Sequence, residues 1–441
     1  MKKKGLYIVL CVLLALFLFL PMIQQYGHPF QLKELDGAAV KAEKPALTYE
    51  AYKDMSYQSE LEKYVSDHFG FREWVIRMYN QYLWMFRKTY AADVVVGKDG
   101  WLYGVTAMKN YYRQASCEFA HSNEEMLQLM EKDADRLKKV QDLLEQRGIK
   151  CFVLICPSKD IIYPEYLPEH GKWVMGDGVV AMDFYPKAFD ERGINYLDLC
   201  TWFEQIKDTI DYPVFPMTGL HWSNVASVHA ADTLIRYMEQ LTGKNMLNIQ
   251  IGPLFEAETM FPDNDLEKSM NLIWNIKPNT NIYANSAVIP DSTAQQLSLL
   301  TVGDSFFWNF GYTVPMDQLF KTYHHWYYFN LVFYDPDHTS VSQIDLLDEF
   351  GNTDVVMLCF SASKLYVING GFLSRALIEL TLDTPGAIDN ILNDIKRDME
   401  TNEAWYESLK QKANAQGKSL EQVIQEDAIY LINQYPERYL D

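Results

Sequence analysis

Four apolar runs, each seven to nine residues long, constrain the fold more than anything else in this chain. They are IKCFVLICP (149 to 157), LSLLTVG (297 to 303), YFNLVFYD (328 to 335) and TDVVMLCF (353 to 360). Runs this short and this unbroken suit strands buried on both faces, and helix-length segments lie between them. Ser122 and Glu125 make a capping-box pattern opening a helix with Met126, Met130, Leu137, Val140 and Leu144 on one face and Gly148 at its end. Arg192-Gly193 closes another helix before a strand from Ile194. Helices alternating with buried strands predict an α/β fold with a parallel sheet in an α/β/α sandwich.

The flanks read differently. Residues 5 to 23, GLYIVLCVLLALFLFLPMI, carry no charge, follow three lysines and are long enough to cross a bilayer as a helix. A cleaved signal and a buried core helix compete with this reading. No small-x-small site lies near the end of the run, and no Gly or Ala precedes Cys11, which favours an uncleaved anchor. The positive-inside rule then places the main domain outside the cytoplasm, as a single-pass cell-membrane protein. The expected division is a cytoplasmic tip and anchor (1–23), a linker (24–56), a main domain (57–384) and a C-terminal helical extension (385–441). From Tyr57 to Tyr90 apolar residues recur at helical spacing, and VVVGKDGWLYG (94 to 104) reads as a hairpin turning at Lys98-Asp99-Gly100. In the extension, Ser419 and Gln422 cap an amphipathic helix whose apolar stripe is expected to pack on the domain rather than on a partner.

A net charge of −20 excludes non-specific nucleic-acid binding, which needs a basic surface. Five cysteines remain outside the span: Cys117, Cys151, Cys156, Cys200 and Cys359. They lack CxxC spacing, so neither a zinc site nor a disulfide framework is indicated, and the last four read as small buried hydrophobes.

Ligands of open parallel sheets bind beyond the carboxyl ends of the strands. Ser305, in TVGDSFFWN, stands at such an end where a helix begins, with Asp304 before it and Phe306 and its neighbours as N–H donors for an oxyanion. The competing role for Asp304-Ser305 is a plain helix cap. Among nine histidines, His221 in FPMTGLHWSN is the strongest candidate base, at the junction of an irregular stretch with a helix. His229 reads as an amphipathic-face residue, and His324 and His325 as packing or surface groups. His338, in Asp335-Pro336-Asp337-His338, ranks below His221 because Asp-Pro is an ordinary turn signal.

Taken in order, SDHFGFREW (66 to 74), VVVGKDGWLYG, CPSKDIIYPEYLP (156 to 168), TGLHWSN and VGDSF resemble the AlgJ/AlgX and DHHW group of the SGNH hydrolase superfamily, from about Tyr57 to Leu365. The resemblance implies an SGNH-hydrolase-like sandwich, a nucleophile at Ser305 and a base at His221. It further implies O-acetylation of a secreted or cell-surface polysaccharide beside a multi-pass membrane acyltransferase, with no diffusible cofactor and no metal. An acetyl-esterase and a noncatalytic carbohydrate-binding or assembly subunit are the alternatives. Lys159 and Tyr163 fall in the family-like segment after a strand, where each either lines the site or is a surface lysine and a packed tyrosine. Trp222, Trp308 and Trp326 offer aromatic faces for sugar rings, against the more ordinary role of core.

Two departures stand out. The family pattern D-x-H-W has Gly219 at its acidic position, so the carboxylate that would orient His221 must come from elsewhere; Asp198 and Asp211 are candidates, with Asp335 more distant. After the last strand, where the family often carries an acid, the chain reads VMLCFSASKL. Asp67, His68 and Arg72 are expected to brace the N-terminal helix.

Overall fold

The structure, a computed structural model, describes residues 2–37, 41–115, 118, 120–168, 173–333, 339–384 and 389–439. Asp335, His338 and Cys117 lie outside the described residues. The chain forms two compact units. The smaller comprises Met1–Val105, Met217–Leu220 and Thr259–Asn279; the larger comprises Thr106–Pro216, His221–Glu258 and Thr280–Asp441.

The larger unit is built on six strands: β1 (Lys150–Cys156), β2 (Tyr196–Asp198), β3 (Leu297–Gly303), β4 (Phe320–Tyr327), β5 (Leu331–Phe333) and β6 (Val355–Ser361), in the spatial order β5-β4-β3-β6-β1-β2. All pairings are parallel except β4 with β5. Successive side chains of a strand point to opposite faces. Cys151, Val153, Ile155, Leu300, Val302, Val356 and Leu358 accordingly enter one core, while Phe152, Leu154, Leu299, Val355 and Met357 enter another. The first core is covered by helices Asn123–Gln146, Ala181–Arg192 and Phe372–Asp383, and the second by Leu199–Ile206, Asn224–Thr242 and Phe306–Thr313. This is the three-layer α/β/α arrangement.

One strand is misplaced by the sequence. Of the described residues in the run 328 to 335, Leu331–Phe333 form only the antiparallel edge β5, after Tyr328 and Phe329 turn the chain back at φ 48° and 55°; the strand that pairs in parallel with β3 is the preceding FKTYHHWY. Two histidines disguised β4. His325 is nevertheless fully buried, and burial pushes its pKa down to about 3, so it enters the sheet neutral.

The capping predictions are met with one variation. Ser122 Oγ accepts from Glu125 N–H, but the Glu125 carboxylate accepts from His121 N–H rather than from the cap residue itself. At Ser419 the reciprocal box is complete. Leu392, Ile395, Met399, Leu409, Val423, Ala428 and Ile432 of the C-terminal helices join the same core as Leu377 and Leu380, so the extension packs on the domain.

The smaller unit holds the apolar helix Lys2–Gly27, of which Lys4–Gly27 is long and apolar enough to span a membrane. It also holds helices Tyr49–Lys53, Ser56–His68 and Arg72–Met85, and a hairpin pairing Val94–Val96 with Leu102–Gly104 whose turn carries Asp99 and Gly100 at positive φ. Arg72 pairs with Asp67 at 3.3 Å, Asp67 also accepts from Ala42 N–H, and the His68 ring meets Tyr64 O. Gly219 belongs to this unit, where the flanking Thr218 O and Leu220 N–H are taken by Glu267 and Asp265.

Candidate active site

Ser305 lies where β3 gives way to helix Phe306–Thr313. The chain can turn there because Gly303 packs directly on β6; a Cβ at Gly303 would sit 1.9 Å from Cys359 O. Asp304 N–H then bonds to that same carbonyl at 2.9 Å. The capping alternative is divided between two residues. Asp304, not Ser305, caps the helix: its Oδ1 accepts from Phe306 N–H at 3.0 Å, while the Ser305 hydroxyl makes no capping bond. Ser305 Oγ instead meets His221 Nε2 at 2.8 Å.

The segment before His221 is irregular, and named side chains hold it. Lys159 Nζ donates to Pro216 O at 2.7 Å, and Tyr163 Oη accepts from Val214 N–H at 3.0 Å. Ser223 closes the segment from the other end, its N–H donating to Val214 O and its hydroxyl to Pro213 O. Asn309, on the serine's helix, donates to Trp222 O, and the His221 ring packs edge-on against Phe306 at 5.0 Å. Lys159 is only 2% exposed, which overturns the surface-lysine alternative; it and Tyr163 brace the histidine's approach. His221 is 8% exposed and Ser305 half-buried, so the pair is sheltered.

Asp304 is buried, with Oδ2 accepting from both Ser361 N–H (2.8 Å) and Ser361 Oγ (2.9 Å). Burial pushes its carboxyl above the usual range; the bonds from Ser361 and Phe306 and the charge of His221 pull it back. Asp304 and His221 therefore sense each other electrostatically. Ser361 is a site residue missed at the sequence level, although the switch from apolar VVMLCF to SAS at a strand end marks it. Lys364, in the turn Ala362–Val367, lies half-buried 5.8 Å from the Tyr366 ring, its ammonium pushed below the usual value by burial and supported by the charge of Asp304.

Several sequence candidates have other duties. Phe306 N–H is consumed by Asp304 and is not free for an oxyanion, whereas Ser305 N–H has no acceptor among the described residues. Asp198 caps helix Leu199–Ile206, both oxygens taken by Thr201. Asp211 is exposed beside Tyr212, whose phenol is pushed up to about 12 by burial and by that charge. His229 stacks on Tyr212 at 5.1 Å. Trp222 and Trp326 are fully buried and present no face to a sugar; Trp308 is half-buried and stacked on Phe333 at 4.3 Å. Cys151, Cys156, Cys200 and Cys359 are buried, and burial lifts all four thiols. No group of three metal-ligating side chains occurs among the described residues.

Residues 94–303 match the family model described as SGNH hydrolase-like domain, acetyltransferase AlgX. Over these residues the chain is similar to the AlgJ/AlgX-like SGNH family. Over 141 residues it is 30% identical to the probable alginate O-acetylase AlgJ of Pseudomonas aeruginosa, a stretch that spans 32% of this chain and 32% of that relative. Among solved structures, the O-acetyltransferase domain of Pseudomonas putida AlgJ is 20% identical, with a TM-score of 0.42, covering 62% of this chain and 92% of that one. Bacillus cereus PatB1 is 13% identical, with a TM-score of 0.39 and coverage of 62% and 96%. The matched block contains His221 and ends at Gly303, two residues before Ser305, so that Ser305, Ser361 and Lys364 all fall beyond the matched residues.

Proposed function

We propose that the protein is a membrane-anchored O-acetyltransferase that acetylates a cell-surface or secreted polysaccharide through an acyl-serine. The observation that carries the reading is the 2.8 Å contact between His221 Nε2 and Ser305 Oγ, with His221 inside the family-matched residues, Ser305 two residues past their end, and the serine hydroxyl released from capping. His221 takes the Ser305 proton as Oγ attacks an acetyl carbonyl, Ser305 N–H receives the developing oxyanion, and the proton passes to the departing group of the donor. A glycan hydroxyl then attacks the acetyl-serine while His221 accepts its proton, giving the acetyl ester and free Ser305. Water in place of the glycan would make the protein an esterase.

The charge of His221 acts on the Asp304 carboxylate, and Asp304 is the acid assigned here in place of the one that Gly219 lacks. The lysines preceding the span orient the main domain away from the cytoplasm. A multi-pass membrane acyltransferase is then the fitting acetyl donor. Gly219 at the acidic position favours one competing reading, a noncatalytic glycan-binding subunit.

The test incubates the purified full chain, Ser305→Ala and His221→Ala with p-nitrophenyl acetate. Ester release and an acetyl adduct on Ser305 by mass spectrometry are expected for the wild type. Each variant should lose about 10²-fold or more of the rate. If all three fold and none exceeds the buffer rate, the noncatalytic reading replaces this one.

A further inference from the structure

Helix Arg72–Met85 buries polar residues while leaving large apolar ones exposed. A surface helix of a water-soluble domain turns its apolar stripe inward and its polar face to solvent. Here the residues buried are Arg77 and Gln81, one turn apart. Arg77 donates to Glu34 O at 2.8 Å and Leu272 O at 3.2 Å, and Gln81 Oε1 accepts from Ile273 N–H and Trp274 N–H. Asn80, beside them, donates to Met270 O at 2.7 Å. The adjoining exposed face carries Trp74, Val75, Met78 and Tyr82, continued by Met85 and Phe86, each between 47% and 73% exposed. Clustered apolar surface of this kind marks an interaction site rather than ordinary exposure.

The helix also begins beside the end of the apolar span. Gly70, two residues before it, leaves no room for a Cβ, which would lie 1.9 Å from Pro21 O within the apolar helix. Phe71 packs on Phe30 at 5.7 Å, and the Gln24 side chain bonds both the N–H and the carbonyl of Phe30. A helix fixed to the last turns of a membrane span stands at the level of the headgroups. Trp and Tyr on its outer face are the residues that favour that layer.

We propose that the outer face of Arg72–Met85 lies in the interfacial layer of the bilayer that Lys4–Gly27 spans, as a second, in-plane contact of the protein with lipid. This rests on the anchor reading and adds a surface that holds the smaller unit against the membrane. The exposed Arg87 and Lys88 that follow the helix suit the anionic headgroups of such a layer.

The experiment uses the full chain reconstituted in phosphatidylcholine–phosphatidylglycerol vesicles containing lipid brominated high on the acyl chain. No tryptophan occurs before Trp74, so the span itself contributes no signal. The expected result is bromolipid quenching of part of the tryptophan emission in the wild type, and loss of most of that quenched part in Trp74→Phe. Flotation of the same vesicles tests the anchor separately. A chain that floats but shows equal quenching with and without Trp74 overturns the interfacial helix and leaves the anchor standing, the face then belonging to a protein partner or a second copy. A chain that does not float overturns both.

Discussion

Lys159 and Asp160 are neighbours whose burial gives them opposite tasks. Lys159 spends its charge on Pro216 O, five residues before His221, so Lys159→Met should leave that carbonyl unpaired at a cost of about 1–3 kcal/mol. Thermal melts and ester-hydrolysis kinetics check this, with kcat expected to fall more than KM rises because the loss falls on positioning. Asp160 is fully buried between Ser158 and Asn110, and burial lifts its carboxyl to about 6. Between its unfolded value near 3.8 and about 6, the folded protein keeps a proton that the unfolded chain has lost. Stability from this group is therefore present below the unfolded value and lost as pH rises through about 6, to an extent of at most about 3 kcal/mol. Melting temperatures from pH 4 to 7 should show that slope in the wild type and a flatter one in Asp160→Asn. At this scale the candidate pair was legible, because Ser305 and His221 each sit in a distinctive local motif. The duties of Lys159 and Ser361 were not, since burial and a partner 57 residues away in the chain leave no local trace.

Among the elements, β6 leaves no room for a side chain at Gly303 of β3. The carbonyl its Cβ would strike is backbone and is already engaged by Asp304, so neither strand can yield. Gly303→Ala should cost about 4 kcal/mol or more, seen as loss of soluble protein or of the cooperative melt. The glycine of VGDSF is thus explained by strand packing as well as by the turn that follows. Most strands and helices were legible because apolar period and caps act locally: Ser122, Gly148, Gly193 and Ser419 mark ends that the structure keeps. β4 was not, because FKTYHHWY carries two histidines and lacks a continuous apolar run. His325 is tolerated there only because the surrounding sheet, with Phe307 at 4.9 Å, holds it neutral.

For the whole molecule, the C-terminal helices decide whether the sandwich is closed. Removing residues 385–441 would strip Leu392, Met399, Val423 and Ile432 from the core that also holds Leu377 and Leu380. The truncated chain is expected to aggregate or to melt well below the full chain; an unchanged melting temperature would show the extension to be an appendage. The sequence by itself determined the α/β class, the apolar span and the candidate serine and histidine, because periodicity, capping and short motifs act over a few residues. Tertiary structure alone decided that Asp304 caps the helix and frees Ser305, that Asp198 is spent on Thr201, that Trp222 is core, and that Arg72–Met85 turns its aromatic face outward. Each of those outcomes depends on which distant backbone groups and side chains reach the same place, and no local pattern encodes that.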